Sequence, residues 1–204
     1  MAAIDRGDER KNEEKSDKDT LEDTHDLSPF ESPVVNYNEV ALCFIEVSEN
    51  EEVIGRIVMR IRGDIVPKTC ENFRALLDPK GVKDVGSYKA KPFHRVVKDF
   101  MVQTGDVEYE NGVGRRNLYG VEFDDENFEL KHEKYAVSMS NVGPDTNGCI
   151  FFILLMDAPW LDGFHVVFGN VIDGTEILHR MSDNSRRSGR MTKHYKIHDC
   201  GDLK

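Results

Sequence analysis

The chain has no apolar run of the length that a membrane helix requires. A membrane-spanning helix needs about 20 apolar residues, and no such stretch occurs among the 204 residues. The N-terminal residues are mostly charged and show no hydrophobic segment of the signal-peptide type. These two absences predict a protein that is neither secreted nor embedded in a membrane.

Cysteine is scarce, and its spacing gives no disulfide framework. The four cysteines are Cys43, Cys70, Cys149 and Cys200, and no two of them form a CxxC pair. No Asn-x-Ser/Thr glycosylation acceptor occurs either. We therefore expect reduced thiols in a cytoplasmic or nuclear compartment.

An excess of basic charge is also missing. The chain holds 27 Lys and Arg residues against 38 Asp and Glu residues, for a formal net charge of -11. Such a balance argues against nucleic acid or an anionic membrane as the main partner. One basic cluster stands out, Arg186, Arg187, Arg190 and Lys193. The net charge of the whole chain favours the interpretation of this cluster as a solvated surface.

Patterns for metal binding and nucleophilic catalysis are absent as well. His194, His198 and Cys200 are expected on one face of a strand. The two histidines would then lie about 13 Å apart, at ~3.3 Å per residue, whereas metal ligands converge within about 2.3 Å of one ion. No Ser-His-Asp or Cys-His arrangement and no GxxxxGK phosphate loop can be assembled. We therefore predict no metal site and no cofactor.

Composition divides the chain into two parts. Residues 1–36 carry eleven acidic and five basic residues. They bury too little apolar surface to offset the entropy of ordering, so they are predicted to form a disordered acidic tail. The alternative is a docking or regulatory arm that adheres through apolar residues such as Leu27 and Phe30. Residues 37–204 are predicted to form the folded domain.

From residue 38 onward, the hydrophobic pattern indicates many short strands and two helices. Residues 40–47 are nearly all apolar, as in a strand covered on both faces, and residues 56–62 alternate as a half-buried strand does. Pro67 suits the first turn of a helix, and a second short helix is predicted from Thr175 to Met181. Further strands are predicted at 135–140, 150–156, 166–171 and 195–200. This pattern favours a closed β-barrel plugged by helices.

One stretch, FHRVVKDFMVQTGD at residues 93–106, combines a permanent cation with apolar side chains. Strand alternation places Arg95, Val97, Met101 and Gln103 on one face. A cation on an apolar face requires a polar partner. A carboxylate in a barrel wall would meet that requirement, and so would a polar ligand.

Several longer motifs resemble the cyclophilin family. They are VPKTCENFRALL, FHRVVKDFMVQTGD, NLYGVEFDDENFELKH, SMSNVGPDTNGCIFFI, WLDGFHVVFG and HDCGDLK, in the family's order between about Val40 and Leu203. The resemblance implies a mainly β fold, a closed eight-stranded antiparallel barrel capped by two α-helices. It also implies peptidyl-prolyl cis-trans isomerase activity on X–Pro bonds in a surface groove. Proline-containing peptides or proteins, and cyclosporin, are the implied partners of a monomeric protein.

The resemblance also assigns roles to individual positions. Arg95 matches the family's catalytic arginine. The wall of the proline pocket corresponds to Phe100, Met101, Phe152, Leu161 and His165. The peptide groove corresponds to Gln103, Gly112, Ser140, Asn141 (through its backbone), Val142 and Ile150. Trp160 matches the tryptophan at the edge where cyclosporin binds in many members.

Some positions depart from the family pattern. Ile150 stands where a glutamine that contacts the peptide is usual, and Cys149 where a serine is common. Ser140 and Val142 replace small alanines, and Phe164 replaces a residue that is usually polar. Loss of the amide at position 150 removes one hydrogen bond worth about 0.5–1.5 kcal/mol, so reduced or altered activity is expected. The alternative function is a proline-peptide binding or scaffold module with vestigial catalysis.

Overall fold

The computed structural model describes residues 36–203, so the tail predicted at residues 1–36 lies almost wholly outside the described part of the chain. The strands within it are β1 (Val40–Glu49), β2 (Glu52–Arg62), β3 (Arg95–Val97), β4 (Met101–Thr104), β5 (Ala136–Met139), β6 (Phe151–Leu154), β7 (Val167–Asp173) and β8 (Tyr195–Leu203). The helices are α1 (Pro67–Leu77), α2 (Thr175–Asp183) and a 3-10 turn at Pro159–Leu161.

These eight strands form one antiparallel sheet in the order β3-β4-β6-β5-β7-β2-β1-β8. The predicted fold class, mainly β with two helices, is confirmed. Closure of the barrel is incomplete, because the edge strands β3 and β8 do not pair with each other within residues 36–203. The segment just before β3 bridges part of the gap. There the Phe93 N–H donates to the Tyr195 carbonyl at 3.0 Å, and the Ala90 N–H donates to the Ile197 carbonyl at 2.7 Å.

The first strand differs from the environment predicted for it. Cys43, Ile45 and Val47 are buried, whereas Leu42 is 40% exposed. Phe44 also points away from the interior, and the Arg56 guanidinium covers its ring at 4.2 Å from the centroid. The prediction that this strand is covered on both faces is therefore wrong. The curled sheet has one interior, and the outer side of β1 faces solvent.

A bulge in β8 corrects the predicted face of its polar residues. His198 is the extra residue between the pairs that β8 forms with Glu46 and Val47. The bulge turns Cys200 into the core while His198 stays exposed. The prediction that His194, His198 and Cys200 share one strand face is therefore wrong. No group of three metal-ligating side chains forms within residues 36–203.

Residues 36–203 contain neither a disulfide nor a helix long and apolar enough to span a membrane. All four cysteines are buried and free. Burial raises the pKa of the Cys149 and Cys200 thiols to about 12. Both thiols are therefore protonated at neutral pH, which makes them poor nucleophiles.

An aromatic cluster fixes α1 against the sheet. The Phe73 ring lies 5.6 Å from Tyr88, 5.1 Å from Phe151 and 4.9 Å from Phe168, measured between ring centroids. All four rings are fully buried. Pro67 begins this helix. Backbone N–H groups in the first turn have no acceptor within the helix, so the missing N–H of proline costs no hydrogen bond there. The apolar face of α1 thus supplies the interior of the sheet with its central ring.

We expect Phe73→Ala to lower the free energy of unfolding by about 3–5 kcal/mol, because truncation of a buried ring loses apolar burial and leaves a cavity. Phe164→Ala is the matched control, since it removes the same atoms from a side chain that is 67% exposed. It should change the stability by less than about 0.5 kcal/mol. Urea denaturation followed by circular dichroism measures both values. Equal losses in the two variants would contradict the assigned core.

Candidate active site

A second apolar cluster lies on the outer face of the sheet. Strand alternation separates it from the interior, because β4 directs Met101 to this face and Val102 into the core. Its buried members are Met101, Ala136, Phe152, Leu154, Ala158 and Val167, and Val97, Phe100, Leu130 and Leu161 pack partly buried at its margin. An apolar surface outside a barrel wall is typical of a ligand-binding site.

A tight hairpin places Arg95 on the same face of the sheet as this cluster. The prediction from alternation treated residues 95–103 as one strand, but β3 and β4 pair antiparallel around a turn at residues 98–100. Asp99 in this turn has a φ of 62°, in the left-handed region. The register pairs Arg95 with Gln103 and Val97 with Met101. The four side chains therefore share one face as predicted, by cross-strand pairing as well as by alternation.

The same register continues over two more strands. Gln103 pairs with Phe152 in β6, and Phe152 pairs with Ser138 in β5. A row of side chains therefore crosses the outer face from an exposed cation to an amide and then to an aromatic ring. Gln103 is 8% exposed and Phe152 is 6% exposed. We call Arg95, Gln103 and Phe152 the outer-face row.

The Arg95 guanidinium is exposed and forms no ion pair with any described carboxylate. The alternative of an arginine paired inside a barrel wall is therefore wrong. Its side chain lies over Gly189, whose φ is +86°. A Cβ at position 189 would come within 3.0 Å of the Arg95 Cγ and 3.3 Å of its Nε. Glycine at this position leaves the space that the arginine stem occupies.

Two histidines support the Phe152 ring. The His165 ring packs edge-on against it, with centroids 5.5 Å apart, and the His132 ring stacks on it at 6.2 Å. The His165 Nδ1–H donates to a backbone carbonyl at 3.0 Å. The His132 Nδ1–H donates to Asp162 at 2.8 Å, and its Nε2 lies 3.0 Å from the Ser138 Oγ. Burial lowers the pKa of both imidazoles, so both rings are neutral at pH 7.

Trp160 and Phe100 form the margin of the outer cluster. Their rings stack with centroids 6.2 Å apart and an interplanar angle of 26°. Trp160 is 56% exposed, so one face of the indole is open to a ligand. The structure thus brings together the side chains assigned to the proline pocket and its edge, Phe100, Met101, Phe152, Trp160, Leu161 and His165.

Five of the six residues assigned to the peptide groove line a cavity of about 140 Å³, and they are Gly112, Ser140, Asn141, Val142 and Ile150. Gln103 connects this cavity to the outer-face row, because its Nε2 donates to the Ser140 Oγ at 3.3 Å. Ile150 is 6% exposed and Val142 is 70% exposed. Ile150 therefore forms part of the cavity wall, whereas Val142 stands at its rim. The Asn141 side chain donates to the Phe164 carbonyl at 2.7 Å.

One buried carboxylate organises the loop that carries Gly112. Asp106 is fully buried. Its two oxygens accept hydrogen bonds at 2.8 to 3.2 Å from the backbone N–H groups of Glu108, Tyr109, Asn111, Gly112, Val113 and Gly114. Burial alone would raise the pKa of Asp106, but these hydrogen bonds outweigh it and hold the pKa well below its usual range. The negative charge is therefore part of the folded loop.

Sequence reasoning misses the two supporting residues His132 and Asp106. His132 meets Asp162 and Ser138 only after the chain has folded, so no local pattern indicates these contacts. Asp106 ends the quoted stretch FHRVVKDFMVQTGD. The glycine-rich composition of the following residues was the available signal, since a loop without periodic structure needs another acceptor for its N–H groups.

Two comparisons show which known proteins this chain is similar to. Residues 44–202 match the family model described as "Cyclophilin type peptidyl-prolyl cis-trans isomerase/CLD". A curated protein of Encephalitozoon cuniculi (strain GB-M1), named "Peptidyl-prolyl cis-trans isomerase", is 49% identical over 164 residues. This match covers 78% of the present chain and 93% of the relative. The family match includes the whole outer-face row and the groove residues.

We expect Asp106→Asn to lower the free energy of unfolding by more than about 2 kcal/mol near pH 7, because an amide replaces a charged acceptor of several hydrogen bonds. The depressed pKa contributes stability that is present above the unfolded value of about 3.9 and is lost as the pH falls below it. The difference between wild type and variant should therefore shrink between about pH 4 and pH 2. Urea denaturation across this pH range measures the difference.

Asp124→Asn is the control for this prediction, since Asp124 is an exposed carboxylate of the same chain. Its effect on stability should be small at every pH. A difference between wild type and Asp106→Asn that stays constant from about pH 7 to about pH 2 would show that the folded loop does not depend on the charge of Asp106.

Proposed function

This chain belongs to the cyclophilin-type peptidyl-prolyl cis-trans isomerase family, and from that membership we propose which of its residues perform the isomerase reaction. We propose that the outer-face row is the centre of the site. The observation that carries the proposal is the position of Arg95, an exposed guanidinium that no described acid engages, two strands away from the buried Phe152 ring. The Arg95 donors are therefore available to a substrate.

The reaction requires rotation about an amide bond. Rotation about X–Pro is slow because resonance must be lost, with a barrier of ~18–20 kcal/mol. The outer apolar cluster around Phe152 and Met101 holds the proline ring, while Arg95 donates hydrogen bonds to the substrate. These bonds go to the carbonyl oxygen before proline, or to the prolyl nitrogen as it becomes pyramidal. They are stronger in the twisted state than in either planar state, and only such stabilisation raises turnover.

Arginine has the properties that this role needs. Its charge is permanent, and its donors are held in a rigid planar fork. Gln103 lies opposite it in the register and provides an amide that can hold the peptide backbone. The neutral His165 and His132 keep the floor of the pocket apolar beneath the proline ring. In this arrangement the charged Arg95 acts on the X–Pro amide bond, whereas the histidines beneath the proline ring are neutral.

We further propose that Ile150 reduces the activity or alters its specificity. Its side chain forms the wall of the groove cavity and offers neither a donor nor an acceptor to a peptide. A missing hydrogen bond of about 0.5–1.5 kcal/mol corresponds to a loss of up to about tenfold in catalytic efficiency. Val142, at the rim of the same cavity, narrows its opening relative to alanine.

The setting proposed for this activity is a monomer in the cytoplasm or nucleus that acts on proline-containing segments of other proteins. The free, buried cysteines support a reducing compartment. The family match to residues 44–202 supports the assignment of all groove chemistry to residues 37–204. We propose cyclosporin as a ligand of the same groove, because Trp160 is 56% exposed at its edge and carries an indole N–H that can donate to a ligand.

Substitutions at Arg95 and Ile150 test these roles. Arg95→Ala should lower the catalytic efficiency on a short X–Pro peptide by about a hundredfold while peptide affinity falls little, because the guanidinium acts mainly on the twisted state. Arg95→Lys should rescue poorly, since an ammonium lacks the planar fork. Ile150→Gln should raise the efficiency by up to about tenfold by restoring an amide at the groove wall.

Exchange spectroscopy on one proline peptide, with all four proteins at the same concentration, measures these rates, and chemical-shift titration measures the affinities. Arg60→Gln is the control, because Arg60 is an exposed arginine of β2 outside the site. Equal exchange rates for wild type and Arg95→Ala at saturating protein would remove Arg95 from the reaction. Wild-type rates close to the uncatalysed rate would favour the alternative of a proline-peptide binding module.

Cyclosporin binding is testable by calorimetry. We expect measurable affinity that Trp160→Ala weakens, because the indole N–H and its ring face are lost together. Ile150→Gln should strengthen binding by restoring a polar group at the groove wall. Phe44→Ala serves as the control, since Phe44 is an aromatic residue of β1 outside the groove. The absence of both heat and competition with a proline peptide at about tens of micromolar would refute the assignment.

A further inference from the structure

A basic hairpin at residues 185–191 lies beside β3, the strand that carries Arg95. Ser185 and Met191 close the hairpin by a β-bridge. Its Arg186 forms a further bridge with Val97 of β3 and accepts a hydrogen bond from the Lys98 N–H at 3.4 Å. The three arginines of this hairpin are exposed. Together with the half-buried Lys98 of the β3–β4 turn, they form what we call the basic rim: Lys98, Arg186, Arg187 and Arg190.

The basic rim continues directly into the site through Gly189. The Gly189 carbonyl accepts a hydrogen bond from the Val96 N–H at 3.3 Å, and the Arg95 side chain lies over the Gly189 Cα. The rim and the Arg95 guanidinium therefore occupy the same edge of the sheet.

The cations of the basic rim are not neutralised by the described part of the protein. None of the four forms an ion pair within residues 36–203. Asp99 in the β3–β4 turn and Asp183 at the end of α2 are the acids nearest to the rim in sequence, and neither of them engages a rim cation.

Lys193 lies in the same region but has a structural role, because it forms an ion pair within the fold. It was grouped with the three arginines in the sequence, but its Nζ bonds to Glu49 at 2.6 Å. Arg180 bonds to the same carboxylate at 3.0 Å. These two cations hold the end of β1 against α2 and the last loop. The rim arginines have no such structural task within the described residues, although the whole chain carries a net charge of -11.

We propose that the basic rim selects proline substrates that carry an anionic side chain, a carboxylate or a phosphate, within two or three residues of the proline. The inference rests on the proposed function, because it takes the peptide to lie on the outer-face row. Extended chain advances ~3.3 Å per residue, so the second and third residues from the proline lie about 7 to 10 Å away. This distance is comparable to the reach of an arginine in the adjacent hairpin.

The chemistry of the basic rim suits such a ligand. Guanidinium groups bind carboxylates and phosphates through paired N–H donors, and several together attract an anionic peptide before contact. The rim is exposed, so each pair contributes modestly and is screened by salt. We expect the protein to prefer a peptide with an anionic residue near the proline over one with a neutral residue by about threefold to tenfold. The preference should appear in peptide binding more than in the rotation step.

The test uses the full chain and one X–Pro core flanked by Gln, Glu, phosphoserine or Lys, placed two or three residues before or after the proline. Exchange spectroscopy gives catalytic efficiency, and chemical-shift titration gives affinity. The Glu or phosphoserine peptides should exceed the Gln peptide by about threefold to tenfold, and the Lys peptide should fall below it. The Glu and phosphoserine arms distinguish a carboxylate from a phosphate. Raising the salt to about 1 M should remove the preference.

The triple variant Arg186→Gln, Arg187→Gln, Arg190→Gln should lose the preference while keeping its activity on the Gln peptide. The control is Arg60→Gln, Lys80→Gln, Lys83→Gln, which removes the same charge from exposed positions outside the basic rim and should keep the preference. Equal efficiency and affinity for anionic and neutral peptides in the wild type would overturn the proposal. So would a preference that survives in the rim variant.

The two hypotheses fail in different ways. No catalysis on the Gln peptide would contradict the proposed function, whereas the affinity measurements would still decide the role of the basic rim. Catalysis of all peptides at one rate, with one affinity, would leave the proposed function intact and refute the rim.

Discussion

The antiparallel register that connects β3, β4 and β6 is the constraint on which the site depends. It pairs Arg95 with Gln103 and Gln103 with Phe152. The intervening residues, such as Val96 and Val102, are buried in the interior, so a slip of one residue would expose them and bury the arginine. Apolar packing on the inner face of the sheet therefore sets the strand register, and the register sets the position of Arg95 on the outer face.

Buried or partly buried carboxylates hold the loops around the outer-face row. The Asp106 carboxylate replaces the hydrogen-bond ladder that an irregular loop lacks, and Asp162 orients the His132 ring behind Phe152. In both cases, a carboxylate accepts from donors that the fold would otherwise leave unpaired. The groove thus combines a floor set by strand register with walls set by ionic hydrogen bonding.

Sequence reasoning recovers the elements whose signal is local. Pro67 at the start of α1, the two strands before it and the positions of the later strands all follow from periodicity and turn residues. It fails where the outcome depends on contacts between different elements. The apolar run of β1 does not reveal that its outer face meets the Arg56 guanidinium, and nothing near residue 132 indicates Asp162. The resemblance supplies the site residues, but their mutual geometry comes from the register.

The distribution of charge separates cations that are paired within the fold from the unpaired cations to which we assign a function. Lys193 and Arg180 both bond to Glu49, whose pKa is lowered to about 2 by the hydrogen bonds from Arg180 and Lys193. A pair of this kind is satisfied within the fold and has little left to offer a ligand. Arg95 and the cations of the basic rim lack such partners within residues 36–203. Their N–H donors therefore remain free to bind an anionic group or the amide of a substrate. In this acidic protein, the cations left unpaired beside the apolar pocket are therefore the groups that we propose attract a substrate and promote rotation of its X–Pro bond.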